Sequence, residues 1–369
     1  MTVPFVDLRA QHEPLRDAFR EAFERVVDTN SFILGEEVER FEADFAAYCG
    51  ARECAGVASG TAALALALRA EGLRPGDEVI VPAHTFIATA LAVLHAGATP
   101  VFCDVEEETG LIDFDAAAAV VTERTAAIVP VHLYGQVCDP EAVAAFARRH
   151  AVAVVEDAAQ AHGASFGEDG VRAGASGFTA AYSFYPSKNL GALGDGGAVC
   201  TGNPDVAERV RQLRDLGQRG KGEHVIAGTN ERLDGLQAAF LRAKLPHLDA
   251  WNAGRRRAAA WYRERLEREV PLLPDRPGSV YHLFPVRVAD RDDVAAHLAS
   301  AGVATGVHYS PMVPDQPPFA RGGAGGEFPQ AAAWAREELS LPMFETLTRE
   351  QVERVAEALV RSRAARAAS

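Results

Sequence analysis

Apolar positions along the chain change their spacing several times, and each change marks an element. Spacing of three and four predicts helices over 14–27 and 36–48, and a third, 62–70, opening after Ser59-Gly60-Thr61. Short apolar runs of strand length follow at 78–81, 99–103, 126–131, 151–156, 180–184 and 197–201. Helical segments at 140–149 and 205–216 separate several of them. Buried strands alternating with helices predict an α/β fold whose mostly parallel sheet is covered on both faces. Beyond residue 246 the rhythm differs: helix 252–268, strand 280–288, helix 291–301, strand 304–309 and a terminal helix 349–364. The expected division is a large α/β domain, residues 1–248, and a smaller α+β domain, residues 249–369. Glycine-rich 321–326 is expected to be a mobile loop, and 363–369 to fray.

Composition narrows the classes. A length of 369 residues suits two domains, and 48% hydrophobic with 24% charged residues is ordinary for a soluble protein. A net charge of −14 argues against a nucleic-acid or anionic-membrane surface, so an anionic substrate needs a local basic site. The stretch 211–221 is one candidate, and a solvated helix end is the commoner reading of it. Cys49, Cys54, Cys103, Cys138 and Cys200 form no C-x-x-C pair and no zinc spacing, so no metal site is expected. Scattered thiols, no signal segment, and apolar runs such as 86–94 far short of the ~20 residues of a membrane span point to the cytoplasm.

Candidate chemistry centres on Lys188. An ordinary lysine keeps its proton to about pH 10.4, in solvent. This one stands in a turn between the apolar run 178–185 and a glycine-rich turn. Desolvated there, it would lose its proton more easily and could form a Schiff base with a carbonyl. Such a lysine needs an electron sink, and pyridoxal phosphate is the best known. That cofactor asks for a phosphate cradle, an anion at its pyridine nitrogen and a flat group against its ring. Ser59-Gly60-Thr61, at a helix start, offers the cradle. Asp157, ending an apolar strand, offers the anion, with Gln160 and His162 close behind it, and Phe86 offers the ring face. Taken singly, a plain helix cap and a core phenylalanine are the commoner readings of the first and last, and a strand-end turn residue is an equal reading of Asp157.

Their order along the chain is more specific than any one of them. With the blocks 59–64, 156–163, 183–197 and 230–237, the chain resembles the DegT/DnrJ/StrS sugar aminotransferases, which are fold-type I pyridoxal phosphate enzymes. The resemblance runs from Phe5 to Met343. It implies that Lys188 binds the cofactor and shuttles the proton, that Asp157 meets the pyridine nitrogen and that Gln160 lies against the ring. It implies phosphate contacts from Gly60, Thr61 and Ser183, stacking by Phe86, and a further phosphate contact from Asn230 of a neighbouring subunit, hence a homodimer with shared sites. His308 and Tyr309 match a segment near the sugar in relatives; a strand end facing solvent or the cleft is the other reading. Thr229 departs from the aromatic residue many relatives carry there.

The activity implied is transfer of an amino group, through pyridoxamine phosphate, from glutamate to a dTDP-linked keto-deoxysugar in deoxysugar or antibiotic biosynthesis. The opening residues 4–11 resemble relatives acting on a 3-keto-6-deoxyhexose; a 4-keto substrate is the alternative. Keto-sugar 3-dehydratases of this fold carry histidine at the lysine position, so Lys188 favours transamination. A regulatory, non-catalytic role is the remaining alternative, and the acidic charge speaks against it.

Overall fold

Six of the expected strands form, and with a seventh they make one sheet in this computed structural model, which describes residues 2–168, 170–320 and 327–367 (side chains to 363). The strands are β1 (Glu53–Val57), β2 (Glu78–Pro82), β3 (Thr99–Cys103), β4 (Thr125–Ile128), β5 (Ala153–Asp157), β6 (Thr179–Ser183) and β7 (Gly197–Thr201). Their order is β1-β7-β6-β5-β4-β2-β3, parallel from β3 to β6, with β7 antiparallel to both its neighbours. Side chains alternate faces along a strand, and both faces here are buried. On β6, Ala181 enters one apolar cluster while Ala180 and Tyr182 enter another. That double burial is why the strands read as continuous apolar runs.

The helix Gly60–Ala70 packs against β6 and β7 and is buried almost all round. Leu66 and Leu68, at 2% and 0% exposure, each contribute about 1.5–3 kcal/mol through burial. That burial anchors a helix whose first turn opens beside the strand ends. A separate cluster holds the C-terminal unit, in which helices Leu248–Leu266, Arg291–Ser300 and Arg349–Ala367 surround the antiparallel pair Phe284–Arg287 and Glu338–Leu341. Val3 joins this cluster and bridges to Val303.

Several boundaries move for local reasons. Ala151 adopts a left-handed cap after the helix Pro140–His150, which delays β5 to Ala153. β4 stops at Ile128, and Pro130 beyond it has no N–H for a ladder. The strand expected over 280–288 shrinks to Phe284–Arg287, since Tyr281 takes a positive φ of 43°. The helix expected from 252 begins at Leu248.

The strand expected over 304–309 does not form. Only Gly306 pairs, with Ser340, and the N–H two residues on, that of His308, is taken by the Glu338 side chain instead of a strand. The helices Ala88–His95 and Gly235–Lys244 and the strands β1 and Glu338–Leu341 are additions to the expected elements. The loop expected at 321–326 lies outside the described residues. Of the tail expected to fray, the backbone through Ala367 continues the last helix. No helix among the described residues is long and apolar enough to cross a membrane.

Candidate active site

The C-terminal ends of β1, β2, β5 and β6 share one edge of the sheet, the edge where α/β proteins place ligands. A cavity of about 410 Å³ opens there. Gly60, Thr61, Phe86, Asp157, Gln160, Ser183, Lys188, His308 and Tyr309 all line it. Residues predicted from separate parts of the chain are thus brought together.

One wall is a helix start. Ser59 Oγ accepts the Ala62 N–H at 3.2 Å, and the first N–H groups of the helix, those of Gly60 and Thr61, have no partner within it. A Cβ on Gly60 would lie 2.5 Å from that of Ser183, so glycine alone lets the helix start meet the end of β6. The Ser183 hydroxyl is held beside the same N–H groups as a result.

The floor is acidic. Asp157 is 6% exposed and accepts hydrogen bonds from Thr89 Oγ1 at 2.8 Å and from the Ala159 N–H at 3.2 Å. Burial pushes its pKa up, while Thr89, Ala159, Lys188 and His132 pull it down. A carboxylate in that balance is stabilised by any further cation.

Lys188 ends a turn closed by its own N–H on Tyr185 O at 2.8 Å. The next residue, Asn189, is fully buried and clamps the turn. Its Nδ2 donates to Asn252 Oδ1 at 2.9 Å and Val280 O at 3.1 Å, and its Oδ1 lies 3.0 Å from His282 Nδ1. Burial lowers the Lys188 pKa to about 8, with Asp157 acting against the shift. About a tenth of the amine is then neutral at pH 7, against ~0.04% for an ordinary lysine. The chain has two other lysines. Lys221 is exposed. Lys244 is buried and also lowered to about 8, mainly by burial, yet it donates to Gly191 O at 2.5 Å, pairs with His12 at 3.0 Å and does not line the cavity. Position, and not pKa, separates Lys188 from Lys244.

The remaining wall comes from the C-terminal unit. Gln160 accepts the Tyr134 N–H at 2.6 Å and donates to Tyr309 Oη at 2.9 Å. Phe86, 52% exposed, lies 5.3 Å from the Tyr309 ring at 44°. His308 stacks on Phe5 at 5.6 Å, and burial with the Lys188 charge lowers its pKa to about 4, so it is neutral. The reading of this pair as a strand end facing solvent or the cleft is therefore corrected in one respect: no strand forms, and both residues line the cavity.

Three features singled out in the sequence lie away from this chain's cavity, and for Asn230, expected to serve a neighbouring subunit, that is the expected place. Asn230 is exposed and bridged to Asp215, away from the pocket of its own chain. His162 is buried in the core beside the rings of Tyr182 and Phe184, at 5.3 and 5.8 Å. In the basic stretch 211–221, Arg211 is paired with Glu53 at 2.9 Å and Arg214 with Glu42, so neither is free for an anion. Sequence reading passed over Thr89, Tyr185, His282 and the Asn189 clamp. Thr85 and Thr89 at helical spacing beside Phe86 were the available signal for the first of these.

The cavity fits pyridoxal phosphate on structural grounds: unpaired helix-start N–H groups behind a glycine that cannot carry a Cβ, a buried carboxylate, and a lysine of lowered pKa. A sequence model of the DegT/DnrJ/EryC1/StrS aminotransferase family matches residues 14–360. The chain is 47% identical to a dTDP-3-amino-3,4,6-trideoxy-alpha-D-glucose transaminase of Streptomyces venezuelae, over 97% of this chain and 95% of that one. It is 49% identical to the erythromycin biosynthesis sensory transduction protein EryC1 of Saccharopolyspora erythraea, over 96% and 98%. The crystal structure of S. venezuelae DesV in complex with a ketimine intermediate superposes with a TM-score of 0.94, covering 98% of each chain at 47% identity. Whole-length agreement in sequence and fold leads to one conclusion: the chain belongs to the DegT/DnrJ/EryC1/StrS aminotransferase family.

Proposed function

We propose that this protein is a pyridoxal-phosphate-dependent aminotransferase that moves an amino group from glutamate to a dTDP-linked 3-keto-6-deoxyhexose. The observation that carries the reading is Lys188, half-buried and lowered to about 8, in one cavity with the buried carboxylate of Asp157. Bound there, the cofactor supplies the electron sink that lets an amine be exchanged for a carbonyl.

The chain supplies everything else. Lys188 Nζ binds the cofactor and moves the proton at the substrate carbon. Asp157 holds the proton on the pyridine nitrogen. The N–H groups of Gly60 and Thr61 and the Ser183 hydroxyl bind the phosphate, Phe86 covers a ring face, and Gln160 lies against the ring. His308 and Tyr309 meet the sugar. Asn230, exposed in its own chain, reaches the phosphate of a second copy in a homodimer. The exposed apolar side chains Phe23, Phe32, Ile33 and Leu193 are surface that such a copy would cover. The apolar cluster built from Val3 and residues 258–359 supports a domain boundary near residue 248, and five free buried thiols support a cytoplasmic location.

The S. venezuelae relative, named for a 3-amino sugar, supports nitrogen delivery to C3. The relative named for sensory transduction raises a regulatory role; the acid, base and phosphate-binding residues gathered in one cavity favour catalysis. Incubation with glutamate and a panel of 3-keto and 4-keto dTDP-sugars, with the product carbon located by NMR, tests the reading. The expected product carries its amine at C3. An amine at C4 moves the assignment to the 4-keto class, and a deoxygenated product without amine overturns transamination.

A further inference from the structure

Glu338 is the buried acid that the mechanism leaves unused. It is 0% exposed, on the strand Glu338–Leu341, and forms no ion pair among the described residues. Its Oε2 accepts the His308 N–H at 2.5 Å, and its Oε1 meets the hydroxyl of fully buried Ser340 at 2.5 Å. The same Ser340 Oγ lies 2.9 Å from His308 Nδ1. The other side of His308 lines the cavity.

Ser340 has one proton to give and stands between two groups that can each accept or donate. If Glu338 is ionised, Ser340 donates to Oε1 and must accept from Nδ1–H, which leaves a lone pair on Nε2. If Oε1 is protonated, it donates to Ser340, Ser340 donates to Nδ1, and the imidazole proton sits on Nε2. We propose that Ser340 relays the protonation state of Glu338 to His308, making Glu338 a positioning residue that decides whether Nε2 offers the substrate a donor or an acceptor. The proton balance closes. One proton enters at Nε2 from the cavity, the Nδ1 proton passes to Ser340 Oγ, and the Ser340 proton passes to Glu338 Oε1. His308 is neutral before and after.

Burial raises the Glu338 pKa to about 8, against the opposing pull of the His308 N–H, Ser340 and Arg291, which places the switch in an accessible range. Several ionisable groups face the relay. Tyr134 donates to His308 O at 2.6 Å, and it and Tyr309 are pushed up by burial and stay neutral. His84, lowered to about 3, and His282, lowered well below its usual value, are neutral as well. That leaves Arg287, the cross-strand partner of Glu338, with Arg291, Asp157 and Lys188 as charges, and the free Lys188 amine itself titrates near 8. A keto oxygen only accepts, so the state with Nε2–H is the one that suits the keto-sugar.

The coupling of the tautomer to Glu338 rests on geometry, and its effect on substrate rests on the proposed function. The test is ¹⁵N-histidine NMR of the labelled holoenzyme from pH 6 to 10, with His308 assigned by difference from His308→Gln. The expected wild-type signal changes from protonated to bare Nε2 between pH 7 and 9. Glu338→Gln, whose amide donates to Ser340 at every pH, is expected to hold Nε2–H throughout, and Ser340→Ala to lose the transition. In step, KM for the keto-sugar is expected to rise about tenfold above pH 8 in the wild type and to stay flat in Glu338→Gln, with KM for the amino donor showing no such difference. A transition that persists in Glu338→Gln assigns it to another titrating group and overturns the relay, as does a pH-invariant wild-type tautomer. An intact NMR transition without amination of any keto-sugar overturns the proposed function and not the relay.

Discussion

Lys188→Ala is expected to fold, to show no absorbance from lysine-bound cofactor and to aminate no keto-sugar at a measurable rate. The fold survives because the side chain makes no hydrogen bond among the described residues, while the turn is closed by its backbone N–H and clamped by Asn189. The chemistry does not survive. A tethered base is worth about 10²–10⁴-fold, and loss of the covalent anchor adds to that. Lys244 cannot stand in, since it donates to Gly191 O away from the cavity. Measurable turnover contradicts the assignment. Stability adds a second readout. Folding lowers the Lys188 pKa from about 10.4 to about 8, so the folded state binds fewer protons than the unfolded chain in that window. Stability of the cofactor-free wild type therefore rises as pH goes from 8 towards 10 and is lost as pH falls through 8. The alanine variant loses the Lys188 share of that rise and keeps the share of Lys244, whose pKa is lowered as far.

Asp157→Asn is expected to keep the cofactor on Lys188 and to slow amination by about 10²–10³-fold. Asparagine preserves the shape and can still accept the Ala159 N–H, so the strand end is undisturbed. It cannot pair with a protonated pyridine nitrogen. Breaking a buried ion pair by removing one partner costs about 3–5 kcal/mol, and each 1.4 kcal/mol is tenfold in rate. Single-turnover rates with glutamate measure the loss, and a decrease of less than about tenfold contradicts the role given to Asp157.

How much of this was legible in the sequence depended on whether a residue's neighbours in space were also its neighbours in the chain. β5 was readable because its apolar run ends at the acidic pair Glu156-Asp157, and the second of the pair is the functional residue. Lys188 was readable because a charge in an apolar turn has few bland explanations. The helix Ala88–His95 was not, since an apolar segment buried on most sides shows no helical stripe. Glu338-Leu339-Ser340-Leu341 alternates polar and apolar residues like a strand with one wet face, yet all four are buried. Its polar pair faces inward to hold His308, thirty residues earlier, and no local pattern records that contact. The same cause misread 304–309 as a strand: its backbone hydrogen bonds go partly to a side chain.

The most direct test of the cofactor's seat on Lys188 is borohydride reduction of the holoenzyme followed by peptide mass spectrometry. With Lys188, Lys221 and Lys244 as the chain's three lysines, the map is unambiguous. The expected result is the added cofactor mass on the peptide containing Lys188 and on no other. Label on Lys244, whose pKa is lowered just as far, or no stable label at all, would contradict it.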